Sequence, residues 1–208
     1  MRVTVLFATF ILTLFTYTLP WVVNPGTALS PGGYDLAEWV SIHPVAGGEA
    51  PPLLTALLLR LPLVCAAVAF VFFLVPNWNN RIIGGAVVIW MGIALLPPFE
   101  FLSDTGNGNY RQQFALAIIT LLGGILGLTG WMKTYRPFVG IAMALIGIAA
   151  CLAGLSRAYA LIEGFDLPVQ IGAGGVGTAL LFGVLGVWQW QIGRHVVVRR
   201  PIRTMKAN

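Results

Sequence analysis

Long apolar runs separated by short polar segments dominate the pattern of the chain. Six runs stand out, and they cover residues 3–23, 53–75, 82–98, 114–131, 138–155 and 169–192. A helix needs about 20 apolar residues to cross the hydrocarbon core of a bilayer, so runs of this length predict membrane-spanning helices. The sequence therefore predicts an all-α integral membrane protein. Its single polytopic membrane domain, residues 1–208, would be a bundle of six transmembrane helices.

The longest polar interval, residues 24–52, contains a helical pattern of its own. Three apolar residues within it share one helix face by their i, i+3, i+4 spacing, namely Leu36, Trp39 and Val40. The helix must stop before Pro44. We therefore predict a short amphipathic helix over residues 34–41, between transmembrane helices 1 and 2, lying on the outward-facing surface of the membrane. Tyr34 and Trp39 would sit at headgroup depth, where they could also contact a partner or a ligand.

The first apolar run resembles a secretory signal peptide, because Met1 and Arg2 place a positive charge before it. The apolar core of a signal peptide is only about 7–15 residues long, and this run is longer. We therefore expect the run to be retained as the first transmembrane helix.

Composition supports a membrane protein and leaves no room for a separate soluble domain. Of the 208 residues, 58% are hydrophobic and 9% are charged, whereas soluble domains carry about 25% charged residues. The formal net charge of +5 could suit a nucleic-acid-binding protein. The basic residues are instead distributed by membrane side, so we expect no nucleic-acid partner.

The charged residues separate between the two sides of the predicted membrane. With the N-terminus inside, the inner segments hold nine of the 12 basic residues and the outer segments hold all 7 acidic residues. The positive-inside rule then places both termini in the cytoplasm, in a bacterial cytoplasmic membrane. The basic tail, residues 194–208, includes Arg199, Arg200 and Arg203, which we expect to contact anionic lipid.

Arg60 is the most informative single residue, because it lies about 8 residues, or roughly 12 Å, inside the second run. A charge at such depth is costly and is often functional. Arg60 could pair with an acid of the outer segments, such as Asp35, Glu100, Asp104 or Glu163. It could instead be the counter-charge for an anionic headgroup or substrate.

Metal and cofactor chemistry has little support in the sequence. His43 and His195 fall on opposite sides of the predicted membrane, so they cannot share a metal ion or a haem. His43 alone is a weak candidate for the axial ligand of a tetrapyrrole, and a histidine at a helix end is the simpler interpretation. Cys65 and Cys151 fall near mid-membrane depth, where small apolar packing is their simplest role. We predict no metal site and no specific cofactor, while a bound lipid, quinone or pigment stays open.

Glycine motifs indicate close packing rather than nucleotide binding. Residues 172–177 match the pattern GxGxxG, but they open a predicted transmembrane helix and no acidic residue follows them. We expect these glycines to let another helix approach closely. Similar spacings recur in the fourth and fifth runs at Gly123, Gly127, Gly140, Gly147 and Gly154. The sequence leaves open whether their partners belong to this chain or to another.

The absence of a catalytic motif and of an acid at the centre of any run favours a non-enzymatic role. We predict a non-catalytic accessory subunit of a larger membrane complex, for example a respiratory or photosynthetic one, whose partners are other membrane-protein subunits. The alternative is a small transporter, or a lipid- or quinone-binding protein, with its site near Arg60 and the outer helix.

Overall fold

The computed structural model describes residues 2–25, 30–42, 49–74, 77–104, 106–164 and 168–198. The structure is about 80% helical and belongs to the all-α class, as predicted. The helices of the described part are α1 Arg2–Thr18, α2 Gly33–Ile42, α3 Leu54–Phe73, α4 Trp78–Ala94, α5 Gly108–Thr129, α6 Arg136–Glu163 and α7 Ala173–Val198. Two short strands, β1 Val22–Val23 and β2 Gln170–Ile171, pair antiparallel with Val22 opposite Ile171.

Four helices are long and apolar enough to cross a membrane: α3, α5, α6 and the segment Ala173–Gln191 of α7. The apolar helix Thr4–Thr18 is shorter, and α4 has 17 residues. A helix rises about 1.5 Å per residue, so these two fall slightly short of an untilted crossing of about 30 Å. The predicted bundle of six spans therefore stays a prediction, while the all-α class and four candidate spans are established.

Several predicted boundaries differ from the observed helices, and local chemistry explains most of the differences. Helix α1 ends at Thr18 rather than at residue 23, because Pro20 disfavours helix at the preceding residue. Helix α5 starts at Gly108, six residues before the predicted span, where the side chain of Asn107 caps it by accepting from the backbone N–H of Asn109 at 2.9 Å. The predicted loop after residue 155 is wrong, since α6 continues to Glu163.

The short helix α2 forms at the position that the polar interval predicted. Leu36 and Val40 are buried, and Trp39 is partly buried against the same core, so the predicted face packs on the bundle. Asp35 lies in the first turn, where the helix dipole stabilises a negative charge.

Helix α3 lies at the centre of the structure. It packs against α1, α2, α4, α5 and α6, and 78% of its most apolar window is buried, compared with 33–39% for the other three candidate spans. Its residues are therefore positioned to contact several elements at once. Arg60 lies in this helix, two turns from its start.

Contacts along α3 define two ends of the structure. At the Arg60 end, the first turns of α3 meet those of α5, because Arg60 contacts Asn109. At the opposite end, Arg136 at the start of α6 contacts Val71 near the end of α3. Helix α5 therefore runs parallel to α3, and α6 runs antiparallel to it. We call these the Arg60 end and the Arg136 end.

The glycines singled out in the sequence pack within this chain. A Cβ on Gly123 would lie 2.8 Å from Val68, and one on Gly147 would lie 2.8 Å from Phe182. Within the GxGxxG segment, Gly172 and Gly174 meet the irregular chain that follows α1, whereas Gly177 faces Thr16 of α1 and Gly175 faces both Trp21 and Leu155 of α6. A Cβ on Gly172 would lie 2.1 Å from the carbonyl oxygen of Pro20. Two N–H groups at the start of α7 are used there, since Gly172 donates to Trp21 at 2.8 Å and Gly174 to Pro20 at 2.9 Å.

Candidate functional site

The Arg60 cluster, which joins α2, α3 and α5, is the main polar site of the described chain. The Arg60 side chain is 0% exposed. Its Nη1 donates to Asn109 Oδ1 at 2.7 Å and to Gln112 Oε1 at 3.1 Å, and its Nη2 donates to Glu38 Oε1 at 2.8 Å. A buried charge is tolerable when it is paired and hydrogen-bonded, and both conditions are met here.

Glu38 is the acceptor that draws the cluster together. Its Oε1 accepts from Arg60 and also from Gln113 Nε2 at 2.8 Å. Tyr34, one turn earlier on α2, also hydrogen-bonds to this carboxylate. Burial raises the pKa of Tyr34 above 10.0, and the negative charge of Glu38 raises it further, so the phenol stays protonated and donates. Helix α2 is thus fixed to α3 and α5 by charged hydrogen bonds.

The expected ion pair of Arg60 exists, and its partner is Glu38, which was not among the four acids named as examples. In the sequence, Glu38 was one of the 7 acidic residues of the outer segments, and nothing singled it out as the partner. Asn109, Gln112 and Gln113 were missed because the predicted loop extended through residue 113. Their i, i+3, i+4 spacing was the available signal, since it places all three on one face of a helix.

The candidate contact residues of α2, Tyr34 and Trp39, lie next to the Arg60 cluster. Both are partly buried and pack against the hydrophobic core. Tyr34 belongs to the cluster through Glu38. The structure thus brings Tyr34 and Arg60 into one network, while Trp39 lies on the same short helix.

A second ion pair at the same end joins Glu49 to Arg157. Nη2 of Arg157 donates to Glu49 Oε1 at 2.8 Å, with side-chain exposures of 39% for Arg157 and 3% for Glu49. The backbone N–H of Thr55 donates to the same carboxylate at 3.1 Å, and the Thr55 hydroxyl bonds to it as well. Burial alone would raise the pKa of Glu49, but the hydrogen bonds from Thr55 and Arg157 outweigh it and lower the pKa below 4.5.

Several predicted site residues lie outside the described residues. They are His43, the weak axial-ligand candidate, and the basic tail residues Arg199, Arg200 and Arg203. Among the residues that are described, no group of three or more histidine, cysteine, aspartate or glutamate side chains could hold a metal ion. Cys65 and Cys151 are both buried free thiols.

The chemistry of the Arg60 cluster is therefore that of a neutralised network. One cation faces one carboxylate, the amide oxygens of Asn109 and Gln112 accept from Arg60, and the amide of Gln113 donates to Glu38. Within the described residues, Nε of Arg60 and Oε1 of Gln113 are buried without a hydrogen-bond partner. No protein-family model matches the chain, and no curated protein or solved structure is detectably similar to it.

Proposed function

We propose that this chain is a non-catalytic accessory subunit of a larger bacterial membrane complex, such as a respiratory or photosynthetic assembly. The Arg60 cluster is the observation that carries the proposal. The deep charge of Arg60 donates to its own chain at Glu38, Asn109 and Gln112, as a residue that stabilises the bundle would do. The alternative, a transporter or a quinone-binding protein, requires the charge of Arg60 for its ligand. Because Arg60 is already paired within the chain, the same contacts weigh against that alternative.

The other partly buried arginines support the same interpretation. Arg157 joins α6 to Glu49, and Nη2 of Arg136 donates to the carbonyl oxygens of Val71 and Gly127. Each of these side chains connects separate elements of the chain. Their positions are those of residues that maintain a rigid body, which is what a subunit needs in order to present a fixed surface.

The proposed membrane arrangement has six spans, with both termini in the cytoplasm. The four long apolar helices support it, and α1 and α4 would cross with slight thinning of the bilayer. The Arg60 end would face outward, with α2 lying across it near the headgroups.

We propose α2 and its surroundings as the contact with a partner subunit. The glycine faces are less suitable, because those described above pack within this chain. Near α2 the surface keeps exposed apolar side chains, since Ile42 is 79% exposed and Phe99, at the same end, is 82% exposed. Trp39, on the same helix as Ile42, is partly exposed, and aromatic residues are enriched at the centres of protein interfaces.

Co-purification tests this proposal. The tagged wild type would be extracted from its native membrane in mild detergent, and the associated proteins would be quantified by mass spectrometry. We expect a stoichiometric membrane-protein partner that Trp39→Ala reduces and that Trp78→Ala, a matched change at the Arg136 end, leaves in place. Thermal unfolding of both purified variants would check that each is folded.

A different set of results would refute the accessory-subunit proposal. In that case the wild type would bring down no stoichiometric partner and would bind or move a small solute in liposomes. The transporter or lipid- and quinone-binding alternative would then replace it.

A further inference from the structure

Arg136 is anchored at the Arg136 end of the structure by hydrogen bonds from only part of its guanidinium. Its Nη2 donates to the carbonyl oxygens of Val71 at 3.0 Å and Gly127 at 3.2 Å. These carbonyls lie in the last turns of α3 and α5, where helix geometry leaves them without intrahelical partners. Within the described part of the chain these are the hydrogen bonds of Arg136, and its Nε is buried without a partner. Nη1 therefore keeps its donors for another acceptor.

A second guanidinium lies close by on α4. Arg81 occupies the first turn of that helix, is exposed, and is near enough to Arg136 for the two charges to interact. Packing of α4 explains this proximity. A Cβ on Gly84, one turn after Arg81, would lie 3.2 Å from Leu74 and 3.6 Å from Val71, which is the residue that Arg136 contacts.

The chain supplies no described acid to neutralise this pair. The acidic residues within the described part all belong to segments at the Arg60 end, and they are Asp35, Glu38, Glu49, Glu100, Asp104 and Glu163. Two nearby cations without a counter-charge repel each other, so an anion placed between them would be stabilised. The first turns of α4 and α6 bring the positive ends of two helix dipoles to this end, where Arg136 already covers carbonyls at the negative ends of α3 and α5.

The surface around the two arginines has the character of a membrane interface. Trp78 is 74% exposed, Trp131 is 84% exposed and Tyr135 is 60% exposed. Trp78 opens α4 at this end, and Trp131 and Tyr135 lie between α5 and α6. Tryptophan and tyrosine are enriched at headgroup depth, because one part of each ring system is apolar and another is polar. An anion that reaches Arg81 and Arg136 would therefore arrive at the level of lipid phosphates.

We propose that Arg81 and Arg136 form a binding site for a phosphate group, of the kind carried by an anionic lipid headgroup or by free phosphate. The planar guanidinium matches the geometry of phosphate oxygens and binds them by parallel hydrogen bonds. Its two arginines belong neither to the basic tail nor to α2. It does not depend on the accessory-subunit proposal, since it needs no partner protein.

Lipid titration of the full-length chain tests the site. Delipidated protein in neutral detergent would be titrated with phosphatidylglycerol or phosphatidylcholine, and the lipid bound per chain would be counted by native mass spectrometry. We expect Arg81→Gln to bind phosphatidylglycerol about fivefold more weakly, as the loss of one basic residue near an anionic headgroup predicts. Arg111→Gln, which changes another exposed arginine at the Arg60 end, is the matched control and should bind as the wild type does.

Inorganic phosphate distinguishes the two sources of the ligand. If it displaces phosphatidylglycerol from the wild type but not from Arg81→Gln, the site accepts free phosphate as well. If it displaces nothing while Arg81→Gln still weakens lipid binding, the site is specific for a headgroup.

Two outcomes would overturn the proposal. Equal phosphatidylglycerol binding by the wild type and Arg81→Gln would show that lipid binds elsewhere, for example on the tail. Equal weakening by Arg81→Gln and Arg111→Gln would show a long-range effect of net charge. Thermal unfolding without added lipid would confirm that both exposed-site variants are folded.

Discussion

Arg60 and Glu38 form an asymmetric ion pair, with 2.8 Å between Nη2 and Oε1. The arginine side chain is completely buried, whereas that of Glu38 is 31% exposed. If the pair is broken, Glu38 can regain contact with solvent or headgroups, but Arg60 cannot. The arginine therefore depends on the glutamate more than the glutamate depends on the arginine.

This asymmetry predicts that Glu38→Gln destabilises the protein more than Arg60→Leu. Glu38→Gln leaves a buried cation without its counter-charge, which typically costs about 3–5 kcal/mol. Arg60→Leu removes the charge itself and leaves neutral amides short of a donor, so we expect a loss of about 1–3 kcal/mol. Unfolding by denaturing detergent would measure both, with exposed Arg111→Gln as a control expected to stay within about 0.5 kcal/mol.

The double variant provides a stricter check of the same pair. Combining Glu38→Gln with Arg60→Leu should restore part of the stability that Glu38→Gln loses, because no unpaired buried cation remains. Strict additivity of the two losses would contradict the pairing.

The second ion pair predicts a pH dependence through Glu49. Its pKa in the folded protein lies below 4.5, so folding favours the ionised carboxylate. The stabilisation is fully present above the unfolded pKa and is lost as the pH falls through the lower, folded pKa. We therefore expect the stability difference between the wild type and Glu49→Gln to shrink as the pH falls from about 6 to about 3.

Unfolding curves at several pH values would measure this difference. In Arg157→Gln the stability should depend less on pH than in the wild type, because the Glu49 carboxylate loses donors that lower its pKa. A difference between wild type and Glu49→Gln that stays constant over this pH range would contradict the prediction.

Replacement by alanine should change the stability of the protein differently at two glycines of α7. A Cβ on Gly174 would lie 2.3 Å from the carbonyl oxygen of Leu19, so Gly174→Ala must displace backbone and should cost about 1–3 kcal/mol. Gly183 has nothing within 4 Å, so Gly183→Ala should be neutral or stabilise the helix by up to about 1 kcal/mol. Detergent unfolding of the two variants side by side would decide, and equal effects would contradict the packing at the start of α7.

The proposed membrane arrangement predicts which ends are accessible from outside the cell. Single cysteines at Ser41 and Asn107, introduced after replacement of Cys65 and Cys151, should react with an impermeant thiol reagent in intact cells. A cysteine at Thr134, which is exposed at the Arg136 end, should react only after the cells are opened. Labelling of Thr134 without labelling of Ser41 in intact cells would reverse the orientation.

The sequence by itself determined the fold class and the position of α2. Long apolar runs leave little choice but helices, because every backbone polar group in such a run must find a partner within its own segment. The spacing of Leu36, Trp39 and Val40 was enough to predict the apolar face of α2, but that face was expected on the membrane surface and packs instead against the core of the bundle. Pro20 and the capping residue Asn107 mark the end of α1 and the start of α5, but boundaries taken from the apolar runs alone leave them out of account.

The tertiary structure alone decided which groups meet. Glu38 and Arg60 are 22 residues apart, and Arg60 and Asn109 are 49 residues apart, so their contacts depend on how three helices pack. Likewise, a small residue permits close approach without specifying its partner. Only the packed structure showed that Gly172 and Gly174 accommodate the chain after α1. Local spacing determines the face of a helix, whereas the partner of that face is chosen by the packing of the whole chain.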